Sequence, residues 1–134
     1  MNNAAILVVD GNTNELASLV EALRNAGYRA MGASSFETGR RLLHTQWCDL
    51  LITDLRLAAY NGLHLVFHSR VVNPAASAIV LAAVPDVSNE IEARRLGAHY
   101  VAGPVEPESL VTLVGTVLAA AQQQSSSPSQ TLPA

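Results

Sequence analysis

The chain has 134 residues, of which 49% are hydrophobic and 14% are charged, and its formal net charge is -3. This length and apolar content are typical of one domain with a single sizeable core. The sparse, slightly acidic charge argues against direct binding of nucleic acid or an anionic membrane, since both need a basic surface.

Neither a membrane anchor nor a disulfide is expected. No stretch reaches the roughly 18 apolar residues of a membrane span, and the N-terminal residues lack the basic region of a signal peptide. Cys48 is the single cysteine of the chain, so no internal disulfide can form, and a reducing, cytoplasmic location is expected. The apolar run beside Cys48 predicts a buried, unreactive thiol.

Short apolar runs alternate with longer amphipathic segments along the chain. The first helix is predicted from the spacing of Leu16 to Leu23 and ends at Gly27, a residue type common just past helix ends. Ser34 and Glu37 have the spacing of a capping box for the second helix. The predicted strands are residues 5–10, 28–34, 49–53, 77–83 and 98–102, and the later helices are 34–46, 62–70, 86–97 and 107–121.

This alternation predicts a parallel sheet with right-handed crossovers, hence an α/β fold with three layers, helices on both faces of the sheet. Residues 1–121 form the predicted domain. Residues 122–134 are rich in Ser, Gln and Pro, a composition that buries too little apolar surface to offset chain entropy. They predict a disordered linker toward a further C-terminal domain.

Two aspartates stand where predicted strands end. Asp10 ends the first strand and Asp54 follows the third. Ligands and chemistry in open parallel sheets collect at the carboxyl ends of the strands, where these two carboxylates should meet. Aspartate is also common in turns, because its side chain hydrogen bonds the nearby backbone. The pattern alone leaves both interpretations open.

Several segments together resemble the receiver domain of bacterial two-component response regulators, over residues 4–121. The resemblance implies a flavodoxin-like (βα)5 fold with sheet order 2-1-3-4-5 and a signalling module, not an enzyme. The matching segments are ILVVD at 6–10, Gly27-Tyr28, CDLLITDL at 48–55, NGL at 61–63, IVLAA at 79–83, and LGAHYV at 96–101 with Pro104 after it.

The resemblance implies that Asp54 accepts a phosphoryl group from a histidine kinase. It also implies a Mg²⁺ site built from Asp10 and Asp54, with the backbone carbonyl of Arg56 as a further ligand. The family supplies an acidic pair after the first strand, a Thr or Ser after the fourth, and a Lys before the proline after the fifth. This chain has Gly11, Ala82 and Gly103 at the three positions that depart from that pattern.

Because these departures remove a metal ligand, a hydroxyl and a cation, weak Mg²⁺ binding and slow or short-lived phosphorylation are expected. Arg56 is either a solvated loop residue or a surrogate cation folded over Asp10 and Asp54. Tyr100 occupies the position of the family's switch aromatic. The alternative is an ordinary strand tyrosine, with its ring packed and its hydroxyl in water. His64 and His68 have a spacing that can bind metal, but without a third ligand in the sequence pattern a polar helix face is favoured.

The expected partners are a histidine kinase or phosphotransfer protein, a C-terminal output domain, and a second copy through the fourth helix, fifth strand and fifth helix. An alternative of the same fold is a small-ligand or nucleotide-binding flavodoxin-like domain. The first βα turn, GNTN at 11–14, opposes it because it is not a glycine-rich phosphate loop. A hydrolase using Asp10 and Asp54 is a third hypothesis, and no segment supplies its substrate pocket.

Overall fold

The computed structural model describes residues 3–125, and a parallel sheet forms its centre. The sheet strands are β1 (Ala5–Val9), β2 (Arg29–Ala33), β3 (Leu50–Asp54), β6 (Ser77–Ala82) and β7 (His99–Ala102), and a separate antiparallel ribbon consists of β4 (Arg56–Leu57) and β5 (Tyr60–Asn61). The sheet order is β2-β1-β3-β6-β7 with every neighbouring pair parallel. Apart from the two ribbon strands, this confirms the predicted order 2-1-3-4-5.

Five helices cover the two faces of the sheet. They are α1 (Thr13–Asn25), α2 (Phe36–Thr45), α3 (Leu63–Val72), α4 (Val87–Arg95) and α5 (Pro107–Ser125). Side chains of β1 alternate between the faces: Ile6 and Val8 join a buried cluster with α1 and α5, whereas Leu7 and Val9 join one with α2, α3 and α4. Burial on both faces explains why the central strands are continuous apolar runs.

Side-chain caps fix where the helices begin. The Asn12 side chain accepts a hydrogen bond of 3.0 Å from the Glu15 backbone N–H and starts α1. Ser35 performs this role for α2, accepting from the Thr38 N–H at 3.2 Å. The predicted capping box of Ser34 and Glu37 is therefore wrong by one residue, because Ser35 has the extended backbone that an N-cap requires.

Two details bear on the predicted limits of the domain and on Cys48. Helix α5 continues to Ser125, so residues 122–125 of the predicted linker are helical. The remainder of that linker, 126–134, lies outside the described residues. Cys48 is buried, its thiol donates to the Leu50 carbonyl at 3.1 Å, and burial raises its pKa to about 11. Within the described part of the chain, every helix is too short or too polar to cross a membrane.

Candidate functional site

The two aspartates lie at the carboxyl edge of the central strands. β1 and β3 are neighbours with Val9 opposite Thr53, so Asp10 and Asp54 leave the sheet side by side. A third acid joins them from helix α1. Asp10, Glu15 and Asp54 each present one carboxylate oxygen, and these oxygens all lie within 4.8 Å of one another. We call these three residues the acidic cluster.

Glu15 owes its place in the acidic cluster to the turn that follows β1. The Asp10 carboxylate accepts a hydrogen bond from the Asn12 N–H at 2.9 Å, and the Asn12 side chain in turn holds the Glu15 N–H. Glu15 is absent from the site residues predicted from the sequence. The sequence feature that could have indicated Glu15 is its spacing from Asn12. An N-cap residue followed by an acid three residues later is a helix-start pattern.

The acidic cluster carries excess negative charge. Asp10 is only 1% exposed, and within residues 3–125 no donor reaches its second carboxylate oxygen, Oδ2. Burial, followed by the hydrogen bond that only protonated Asp54 can donate to Asp10 and by the charges of Asp10 and Glu15, raises the pKa of Asp54 to about 8. The hydrogen bond with Asp10, followed by burial and the charge of Asp10, also raises the pKa of Glu15. Ionised carboxylates only accept hydrogen bonds, so Asp10 Oδ2 acquires a partner either from a bound proton or from a cation.

The donor set suits a hard divalent cation. Mg²⁺ prefers oxygen ligands and usually combines one or two carboxylates with water. A cation among these oxygens would give the buried Asp10 Oδ2 a partner and would remove the mutual repulsion that raises the pKa of Asp54. The acidic cluster therefore fits Mg²⁺ better than the predicted pair of Asp10 and Asp54 alone.

A cavity of about 210 Å³ opens beside Asp54. Ala82 and Gly103 form part of its wall, and the Gly103 N–H donates to the Ala82 carbonyl at 2.8 Å. Neither residue supplies a hydroxyl or a charge to this wall. Gly103 has a φ of +89°, and a Cβ built on it would meet no atom within 4 Å. A side chain at position 103 would therefore enter open space beside Asp54, whereas position 82 is only 2% exposed.

Arg56 lines this cavity but does not neutralise the acidic cluster. Its side chain is exposed, and among residues 3–125 the ion pairs are both within α4, joining Glu90 to Arg94 and Glu92 to Arg95. The arrangement in which Arg56 folds over Asp10 and Asp54 is not observed here.

The backbone around Asp54 is held on both sides. The Leu55 N–H donates to the Leu81 carbonyl at 2.8 Å, and the Gly62 N–H donates to the Leu55 carbonyl at 2.7 Å. A Cβ on Gly62 would overlap the Asp54 carbonyl oxygen. Tyr60 in the ribbon stacks on Phe36 of α2, with ring centroids 4.4 Å apart. These contacts fix the loop that follows Asp54.

Tyr100 lies on β7 and turns its hydroxyl toward the loop before α4. The hydroxyl accepts from the Asp86 N–H at 3.0 Å and lies 3.4 Å from the Asp86 carbonyl. Asp86 is also the N-cap of α4. The half-buried ring packs against the core on the α2–α4 face, so Tyr100 connects the last strand of the sheet to the start of α4.

Curated relatives of this sequence are transcriptional regulators. Transcriptional regulatory protein ZraR of Escherichia coli strain K12 is 29% identical over 119 residues, which is 88% of this chain and 27% of ZraR. Alginate biosynthesis transcriptional regulatory protein AlgB of Pseudomonas aeruginosa is 34% identical over 106 residues, 78% of this chain and 24% of AlgB. The chain spans about a quarter of the length of these relatives.

Solved structures share the fold. A CheY-like response regulator receiver domain from Methanospirillum hungatei JF-1 superposes with a TM-score of 0.86 at 23% identity, covering 91% of this chain and 98% of the other. A receiver domain from Clostridium thermocellum gives 0.80 at 25% identity, covering 90% and 98%. The response regulator receiver domain family matches residues 6–115 of the sequence. The chain therefore belongs to the response regulator receiver domain family.

Proposed function

We propose that this receiver domain accepts a phosphoryl group on Asp54 from a histidine kinase or a phosphotransfer protein. The observation that carries the proposal is the acidic cluster, in which an orphaned, buried oxygen of Asp10 lies at the same sheet edge as Asp54. Family membership supports the same chemistry. The turn after β1, GNTN at 11–14, is not a glycine-rich phosphate-binding loop. This opposes the alternative of a nucleotide-binding flavodoxin-like domain.

The proposed reaction is a displacement at phosphorus. A carboxylate oxygen of Asp54 attacks the phosphorus of a phosphohistidine, a P–O bond forms, and the P–N bond breaks with its electron pair leaving on the imidazole. The attacking group must be ionised. The raised pKa of Asp54 keeps much of it protonated at neutral pH in the metal-free protein, so the acidic cluster needs charge compensation before it can react.

Mg²⁺ is the proposed source of that compensation. It would bind to Asp10, Glu15 and Asp54, with the Arg56 backbone carbonyl as a further oxygen ligand. A bound Mg²⁺ would lower the pKa of Asp54 and would offset the charge of the incoming phosphoryl oxygens. Glu15 then compensates for Gly11, at the position where the family has its second acid. We therefore propose a metal affinity higher than the sequence pattern predicts.

The wall beside Asp54 limits the reaction. Ala82 cannot donate a hydrogen bond to a phosphoryl oxygen, and Gly103 offers no positive charge. Charge-assisted hydrogen bonds of this kind contribute roughly 1.5–3 kcal/mol each. Their loss supports slow formation or a short lifetime of phospho-Asp54, with Mg²⁺ providing the remaining stabilisation.

The output of the domain is proposed to be protein contact in the cytoplasm. Tyr100 and Asp86 connect the edge of the site to α4, and α4, β7 and α5 are the proposed surface for a second copy. The relatives are transcriptional regulators several times longer than this chain, which supports an output domain C-terminal to the predicted linker at 122–134. These relatives support the output domain, and the family resemblance supports the surface for a second copy.

A small-molecule phosphodonor tests the proposal without the unknown kinase. The protein is incubated with acetyl phosphate and Mg²⁺, and intact mass and peptide mapping locate any added phosphoryl group. We expect a modification on Asp54 that is absent from Asp54→Asn. A modification that persists in Asp54→Asn would remove Asp54 from this role.

A further inference from the structure

Three of the four histidines lie on the neighbouring helices α2 and α3, and two of them contact each other across the seam between these helices. His44 lies on α2, while His64 and His68 lie one turn apart on α3. Residues four apart share one face of a helix. The structure adds the third ring that the sequence pattern lacks: the centroids of His44 and His68 are 5.7 Å apart, with the ring planes at 70°.

This separation suits a shared metal ion. Zn²⁺ binds imidazole nitrogen at about 2.0–2.1 Å, so two rings on one tetrahedral ion have centroids roughly 5–6 Å apart. His44 and His68 therefore already stand at the spacing of two ligands. His44 and His64 are exposed and His68 is half-buried, so the two outer rings can rotate, and rotation of His64 changes its edge contact with Phe36.

We propose that His44, His64 and His68 form a surface site for a transition-metal ion such as Zn²⁺, which would join α2 to α3. Two ligands from one helix and a third from its neighbour leave a fourth position for water. Within residues 3–125 the acidic cluster is the one group with three ligand atoms already within 4.8 Å. Closing the histidine site requires rotation of the exposed His64 ring toward the other two.

Ligand chemistry separates this site from the acidic cluster. Imidazole suits Zn²⁺, Cu²⁺ and Ni²⁺, whereas carboxylates suit Mg²⁺ and Mn²⁺. The two sites are nevertheless connected through side-chain contacts. His64 packs edge-on against Phe36 at 6.5 Å between centroids, and Phe36 stacks on Tyr60 in the ribbon that follows Asp54. A metal at the seam would therefore bind the two helices that support the Asp54 loop.

Calorimetric titration with Zn²⁺, in buffer containing millimolar Mg²⁺ to occupy the acidic cluster, tests the proposal. We expect one Zn²⁺ per chain, and about tenfold weaker binding or worse in His68→Asn and His44→Asn, because removing one ring breaks the chelate. His64→Asn is the third variant, at an exposed position, and it should weaken Zn²⁺ binding in the same way. The matched control is His99→Asn on β7, exposed and outside the seam, which should bind as the wild type does.

Circular dichroism melts confirm that each variant folds, and Asp54→Asn separates this proposal from the phosphoacceptor function. Zn²⁺ binding that survives in Asp54→Asn supports the histidine site whether or not Asp54 is phosphorylated. Wild-type affinity in folded His44→Asn, His64→Asn and His68→Asn would overturn the proposal. Loss of Zn²⁺ binding in Asp54→Asn alone would also overturn it, since the acidic cluster would then be the Zn²⁺ site.

Discussion

The Glu15 carboxylate lies within 4.8 Å of that of Asp54, although Glu15 belongs to helix α1 and Asp54 ends strand β3. The presence of Glu15 changes the metal site that is expected at the carboxyl edge of the sheet. With Gly11 in place of a second aspartate, the sequence suggests a metal site one acid short. The structure supplies a third carboxylate from one turn further along the chain.

Glu15→Gln should weaken Mg²⁺ binding by roughly tenfold or more, because it replaces a charged carboxylate ligand with a neutral amide. Calorimetry, or quenching of a fluorescent probe by Mn²⁺, measures this affinity. Glu21→Gln is the matched control, an exposed acid on the same helix that should change the affinity little. Equal affinities for the wild type and Glu15→Gln would exclude Glu15 as a ligand.

Gly62→Ala should destabilise the fold by about 2–3 kcal/mol and reduce Asp54 reactivity, because the new methyl group overlaps the Asp54 carbonyl oxygen. Gly62 has φ −60° and ψ −18°, so the cost is steric, with no contribution from backbone strain. Gly11→Ala is the control, since a Cβ there meets no atom within 4 Å. Urea denaturation measures both variants, and equal stabilities would refute the close packing at Gly62.

Asp54→Asn should stabilise the metal-free protein more at pH 8 than at pH 5. The pKa of Asp54 is raised from 3.8 to about 8 in the folded state, so between these values the folded chain binds a proton that the unfolded chain has lost. Stability from this group is therefore lost as the pH rises and is gone above the folded pKa. Asparagine does not titrate, so the variant does not lose this stability as the pH rises. Thermal melts in EDTA at both pH values measure the difference in Tm, and a gap that does not widen with pH would contradict the raised pKa.

Three residues depart from the family pattern: Gly11, Ala82 and Gly103. Substituting the family's residue at each position should increase Asp54 labelling by different amounts. Gly11→Asp enters open space and should increase Mg²⁺-dependent labelling most. Gly103→Lys must adopt a φ near +89°, which costs roughly 1–2 kcal/mol for a residue with a Cβ. Ala82→Thr adds a hydroxyl at a position only 2% exposed. Labelling of the single and triple variants should be non-additive, since all act on one transition state. Additive effects would contradict a shared site.

The sequence places Asp10 and Asp54 correctly because strand ends in a parallel sheet are defined by apolar runs, and Val9 and Thr53 end those runs in register. It does not find Glu15, because the direction in which a helical side chain points depends on how the Asp10–Asn12 turn rotates α1. That rotation is a tertiary property, although the Asn12–Glu15 spacing hints at it.

Other differences have similar causes. The two-residue strands of the ribbon, Arg56–Leu57 and Tyr60–Asn61, are too short to show a period. Their turn is also unexpected, because Ala58 has a φ of +57°, which favours glycine. His44 and His68 lie on different helices, so the sequence pattern of either helix alone does not predict the contact between them. Contacts between elements are thus the part that local patterns miss.

The most direct test of Asp54 as a hampered phosphoacceptor is the rate of labelling by acetyl phosphate with and without Mg²⁺. We predict slow, Mg²⁺-dependent labelling of the wild type, a faster rate in Gly11→Asp, a slower one in Glu15→Gln and none in Asp54→Asn. Rapid and stable labelling of the wild type would contradict the proposed deficit at Ala82 and Gly103. No labelling of either the wild type or Gly11→Asp would contradict the phosphoacceptor role itself.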